Sequence, residues 1–144
     1  MPLPSYSELR NKVGILTMRL TELSIDTTYG VIKRPAVKFA LQDLDAPPRH
    51  LVLLSFENIP QPGVVKRALW LSDPDVVLRA RWDENQFLLG LSAEPEKFEQ
   101  RIREFFTKNG LAVNIVTMPY SGHIESDMRT AAAIAQARKT GYQV

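Results

Sequence analysis

Across residues 64–91 apolar side chains recur at every second position. That is the spacing of strands that bury one face and leave the other in water. Val65, Leu69 and Leu71, then Leu78, Ala80 and Trp82, then Phe87, Leu89 and Leu91 form one series, whereas Lys66, Trp70, Arg79 and Arg81 form the other. Three strands of an antiparallel meander satisfy this pattern and commit the chain to a sheet with a core on one side and a basic, aromatic surface on the other. The opposite parity of Trp70 and Trp82 predicts that Trp70 is the more exposed of the two.

The flanking segments extend that sheet. Val37, Phe39 and Leu41 alternate with Lys38, Ala40 and Gln42, which predicts another strand, closed by Pro47 and Pro48. Residues 50–56 are an apolar run of the kind found in strands buried on both faces. After Leu91 the period changes. Pro95 stands where a helix starts, Phe98, Ile102, Phe105 and Phe106 mark one face, and Asn109 with Gly110 marks the stop. Glu99 with Arg103 and Glu104 with Lys108 place acid before base at four-residue spacing on its wet side.

Residues 111–118 read as a strand, so that strand, helix and strand form a right-handed parallel crossover. Ser121 caps a last helix whose apolar line runs Ile124, Met128, Ala131, Ala135, with Gly141 beyond its end. Near the amino terminus Ser5 and Glu8 make a capping-box pattern, and Leu9, Val13, Leu16, Leu20 and Leu23 follow at helical spacing. Leu16, Met18 and Leu20 also alternate with Thr17, Arg19 and Thr21, so residues 15–25 read equally as helix or strand. The 144 residues, 44% hydrophobic and 24% charged, fit a single globular domain over 1–144. The expected fold is α+β: a mainly antiparallel sheet of six or seven strands, two carboxy-terminal helices packed on one side, and a short amino-terminal helix.

Several function classes are excluded. With no cysteine the chain has no disulfide, thiol nucleophile or cysteine-ligated zinc. Its two histidines, His50 and His123, each lack a second histidine three or four residues away, so no metal site is expected. No run nears the roughly 18 apolar residues of a membrane span, and residues 1–10 lack a basic start followed by an apolar core, so a soluble, cytoplasmic protein is expected. Ser121, His123, Glu125 and Asp127 do not share one helical face, and acids at a helix start answer its dipole. The run Pro119-Tyr120-Ser121-Gly122-His123 lacks the spaced glycines and lysine of a phosphate cradle, although Tyr120 and His123 could meet a ligand there. No catalytic residue and no cofactor is expected, and the chain reads as a non-enzyme.

The second face of the meander carries what functional signal remains. If an even-numbered loop joins the strands, Lys66, Ala68 and Trp70 share a face with Val77, Arg79 and Arg81. Like charges on such a face cost about 0.2 to 1 kcal/mol per cross-strand pair unless an anion neutralises them. Gly90 leaves a shallow place beside Arg79, Trp70 offers a ring on which a base can stack, and Lys33, Arg34 and Lys38 extend the track. The expectation is a non-enzymatic protein that binds single-stranded DNA or RNA through Lys66, Trp70, Arg79, Arg81, Lys33, Arg34 and Lys38. The alternative is an assembly or protein-interaction subunit. It would form a homo-oligomer through the alanine-rich helix of Ala131, Ala132, Ala133, Ala135 and Ala137, or dock to a larger complex. Alternating Lys and Arg on a wet sheet face also serve plain solubility.

Overall fold

The computed structural model of the chain describes residues 25–71 and 73–139. The amino-terminal helix or strand and Gly141 lie outside the described residues. The centre is β3 (His50–Ser55), whose four middle residues are buried on both faces. β5 (Gln86–Leu91) and β6 (Asn114–Pro119) flank it, each antiparallel. β4 (Val76–Asp83) pairs antiparallel with β5, and the short β2 (Val31–Lys33) runs parallel to β4 with β1 (Ile25–Asp26) antiparallel beyond it. The six-stranded order is β1-β2-β4-β5-β3-β6. The class is α+β as expected, but the sheet is mixed rather than mainly antiparallel.

Both sheet faces are apolar, so both must be covered. On one face α2 (Pro62–Leu69) and α3 (Glu96–Lys108) bury Val65, Leu69, Phe98, Ile102 and Phe106 against Val52, Leu54, Phe87 and Leu89. On the other, α1 (Val37–Asp43) and α4 (Ile124–Lys139) bury Val37, Met128 and Ala131 against Leu51, Leu53, Leu88 and Val116. The two carboxy-terminal helices therefore lie on opposite faces, not on one. The expected strand, helix and strand are β5, α3 and β6; β3 sits between the two strands, both of which run antiparallel to it.

Two segments expected as strands are helices. In residues 64–70, Val65, Ala68 and Leu69 are all buried while Lys66 and Arg67 are exposed, which is one face of a helix rather than one parity of a strand. Pro62 stands in its first turn, where a missing N–H costs nothing. Residues 37–43 form α1 after a 3₁₀ turn at Arg34–Ala36, in which Pro35 could not have donated to a ladder. Over so short a window the alternation of Val37, Phe39 and Leu41 carries no sheet: Val37 is buried and Phe39 is 69% exposed.

Face assignment within the hairpin also changes. Arg79 lies opposite Leu89 and Arg81 opposite Phe87, so these arginines share the face of Phe87 and Leu89, while Leu78, Ala80 and Trp82 occupy the other. Register shifts flank Val77 and Trp82, and such shifts defeat parity carried across a turn. α3 behaves as its spacing predicts. Glu99 and Arg103 pair at 2.8 Å, and Gly110 adopts a positive φ of 68° just past the helix end. Among the described residues no helix is long and apolar enough to cross a membrane.

Candidate functional site

Lys66, Trp70, Arg79 and Arg81 do converge, at the end of α2 beside the β1–β2 turn, but Trp70, Arg79 and Arg81 direct donors to acceptors of their own chain there. The Trp70 indole N–H donates to the Tyr29 carbonyl at 3.0 Å, and the Arg79 guanidinium lies 4.5 Å over the same ring. Arg79 Nε donates to the Leu69 carbonyl at 2.7 Å, closing the end of α2 onto β4. Burial lowers the Arg79 pKa, with the Asp73 carboxylate acting in the opposite sense. Arg81 donates to Asp26 Oδ2 at 2.9 Å and to the Glu84 carbonyl at 2.8 Å, and lies 5.2 Å from the Tyr29 ring centre. Asp26 Oδ1 in turn accepts from the Thr28 and Tyr29 amides. Gly30, at φ 69°, sits beside the Trp70 Nε1 and Lys66 Cε atoms.

The remaining three cations do not extend this cluster into one track. Arg34 stacks 4.3 Å over Trp82 and pairs with Glu125 at 2.8 Å, on the opposite side of the sheet, and Lys38 lies on α1. Lys33 is in register with Arg81. Trp70 is the more exposed tryptophan, 50% against 6% for Trp82, but because it ends a helix rather than through strand parity. Gly90 offers no hollow beside Arg79. It faces the other side, where an added Cβ would stand 3.0 Å from Leu78 Cβ and 3.2 Å from Pro48 Cβ.

A concave site is found instead at the β4–β5 hairpin. The end of β3, the hairpin turn, the start of β6 and the last turns of α4 enclose a cleft of about 650 Å³. Its ionisable lining is Glu57, Asp83, Glu84 and Arg138. Arg138 donates to the Ile115 carbonyl at 2.7 Å, and Asn114 Nδ2 donates to the Ala135 carbonyl at 2.8 Å, fixing α4 against β6. The Phe56 amide donates to the Asn85 carbonyl at 2.9 Å, which holds the turn against the end of β3. Carboxylates outnumber cations here, so the cleft favours hydrogen-bond donors and cationic groups over phosphates. Among the described residues no three His, Cys, Asp or Glu side chains are grouped to hold a metal ion. Asp83 and Glu84 read in the sequence only as turn residues; Glu57, some 26 positions earlier, joins them through the β3–β5 pairing.

The loop before α4 is a structural cap. Ser121 Oγ donates to Asp127 Oδ1 at 2.7 Å, and its amide donates to Asp127 Oδ2 at 2.8 Å. His123 donates its backbone amide to Ser121 Oγ and contributes no imidazole contact to this cap. The helix itself docks on its own sheet, with Ala131 and Ala135 buried there.

No family model and no curated protein sequence matches the chain. Solved structures do. A diguanylate cyclase, SiaD, in complex with its activator SiaC from Pseudomonas aeruginosa superposes with a TM-score of 0.62 at 17% identity, over 94% of this chain and 65% of that one. The shared feature is the fold. A microbial GGDEF domain studied with bis-(3′,5′)-cyclic di-GMP gives 0.58 at 16% identity, over 83% of this chain and 94% of the other. The FimX GGDEF domain from Pseudomonas aeruginosa gives 0.55 at 16%, over 81% and 94%. This chain contains no Gly-Gly pair, and so not the five-residue string those domain names spell. The likeness overturns the expectation of a single-stranded DNA- or RNA-binding protein. Its physical reason is the cluster just described: Trp70, Arg79 and Arg81 hold the β1–β2 turn and the end of α2 and present no continuous phosphate track.

Proposed function

We propose that the chain is a non-enzymatic domain of cyclic-di-GMP signalling, built on the GGDEF-like fold and acting through contact with another protein. The observation that carries this reading is the hairpin cleft. A diguanylate cyclase must hold nucleotide phosphates, whose charges require cations, metal ions or converging backbone amides. The cleft instead sets Glu57, Asp83 and Glu84 against Arg138, whose guanidinium is engaged by the Ile115 carbonyl. Among the described residues no three carboxylate or histidine side chains are grouped to hold the metal ion that would carry a nucleotide's phosphates, and the one cation of the lining is already engaged. The neighbour crystallised with its activator supports a protein partner for the fold. Burial of Ala131 and Ala135 against the chain's own sheet favours docking to a different protein over self-assembly through α4.

Incubation of the full chain with GTP and Mg²⁺, followed by nucleotide chromatography, tests the first half of the reading. No cyclic di-GMP should form. Turnover of GTP to the cyclic dinucleotide would falsify the non-enzymatic assignment and place phosphate-binding residues elsewhere in the molecule.

A further inference from the structure

A second groove, of about 640 Å³, runs between α1 and the amino end of α4, on the side of the sheet away from the Trp70 cluster. Leu41 and Ile124 give it apolar walls, and Tyr120 and His123 line it from the loop after β6. Lys38 enters from α1 and Arg129 from α4; both are exposed. Neither has an ion pair or hydrogen bond among the described residues, in contrast to Arg34, Arg79 and Arg81. Glu125 also borders the groove, but its carboxylate is neutralised by Arg34 at 2.8 Å, so the two free cations set the local sign. Phe39, on the same helix but outside the groove lining, is the most exposed large apolar side chain described, at 69%.

We propose that this groove docks an acidic, partly apolar peptide segment of a partner protein. Carboxylates of the segment would meet Lys38 and Arg129, and an apolar side chain would cover Leu41 on the groove wall. A surface with apolar walls and a charged rim is the usual anatomy of a protein-docking patch. The proposal rests on the protein-contact reading above and names the face and the chemistry of the partner.

The test uses the ¹⁵N-labelled full chain titrated with a short peptide of alternating Glu and Leu. Amide shifts should concentrate in residues 37–43 and 120–129 and weaken with added salt. The double variant Lys38→Glu, Arg129→Glu should bind about tenfold more weakly or worse, whereas Arg103→Glu on α3 should bind as the parent does. Both altered side chains are exposed, and an unchanged circular dichroism spectrum confirms that the variant folds. Absence of binding, shifts confined to another face, or equal binding of a Lys–Leu peptide overturns the groove. So does cyclic di-GMP shifting the same amides, which would make it a nucleotide site. These failures leave the non-enzymatic reading standing, because that reading falls only to GTP turnover.

Discussion

Two regions of this molecule are written in the same alphabet of arginine, lysine and aromatic residues, yet they are in opposite states. Beside the β1–β2 turn, Arg79, Arg81 and Trp70 each reach a backbone carbonyl, and Arg81 also reaches a carboxylate. Around the α1–α4 groove, Lys38 and Arg129 reach neither, and Phe39 lies largely in solvent. Acceptors within reach separate the two, not composition. A basic, aromatic patch that turns donors onto its own chain is part of the fold, although Arg81 Nε there is buried with no partner among the described residues, and one whose donors are free is available to a partner.

The strongest way to break this comparison is to remove Asp26. Its carboxylate pairs with Arg81 and also caps the turn through the Thr28 and Tyr29 amides. Asp26→Ala leaves a partly buried guanidinium without its counter-charge and two amides without an acceptor, at an expected cost of about 2–3 kcal/mol. Urea unfolding measures it; a loss below about 0.5 kcal/mol, the range of ordinary surface changes, would return this cluster to the status of a free surface. Arg79→Ala should cost about 1 kcal/mol, combining a cation–π contact with one hydrogen bond. It should also uncover the outer face of Trp70, raising acrylamide quenching of its fluorescence. By contrast, Lys38→Ala and Arg129→Ala should each change stability by less than about 0.5 kcal/mol. A larger loss from either would mean that the groove's cations also hold the fold.

How much of this was legible in the sequence follows from window length and punctuation. α3 and α4 carry runs of 13 and 16 residues, with clear ends such as Pro95 before α3 and Asn109-Gly110 after it, and β3 is marked by the unbroken apolar stretch Leu51–Leu54. α1 and α2 span 7 and 8 residues, and neither has a side-chain cap at its start. Val65 and Leu69 satisfy both the four-residue spacing of a helix and the even spacing of a strand, so periodicity had no means to choose. The clustering of Lys66, Trp70, Arg79 and Arg81 was visible because they are near in sequence. Their internal partners were not, since Asp26 lies 55 residues from Arg81 and Tyr29 lies 41 from Trp70. The hairpin cleft was hidden for the same reason: Glu57 reaches Asp83 and Glu84 only through strand pairing. Arg79 and Arg81 were assigned the wrong facing partners because bulges at both ends of β4 break the parity that alternation assumes.

The smallest expected effect sharpens the comparison from inside the groove. Tyr120 lines it, and its pKa is raised first by burial and then by the nearby Asp127 carboxylate, both of which disfavour the phenolate. A folded value above the unfolded one means that the native chain keeps the phenol proton at a pH where the unfolded chain has lost it. This contribution to stability is fully present below the usual tyrosine pKa of about 10 and is lost as pH rises through the higher folded value. Because Tyr120 is only partly buried, the effect is best followed by absorbance, as the difference between the parent chain and Tyr120→Phe. Asp127→Asn should move the midpoint down partway, since burial is the larger cause. An acidic segment seated between Lys38 and Arg129 brings further negative charge and excludes water, and both raise the midpoint again. A peptide bound beside Trp70 instead would leave it where it was, so the direction of this one titration distinguishes the free region from the occupied one.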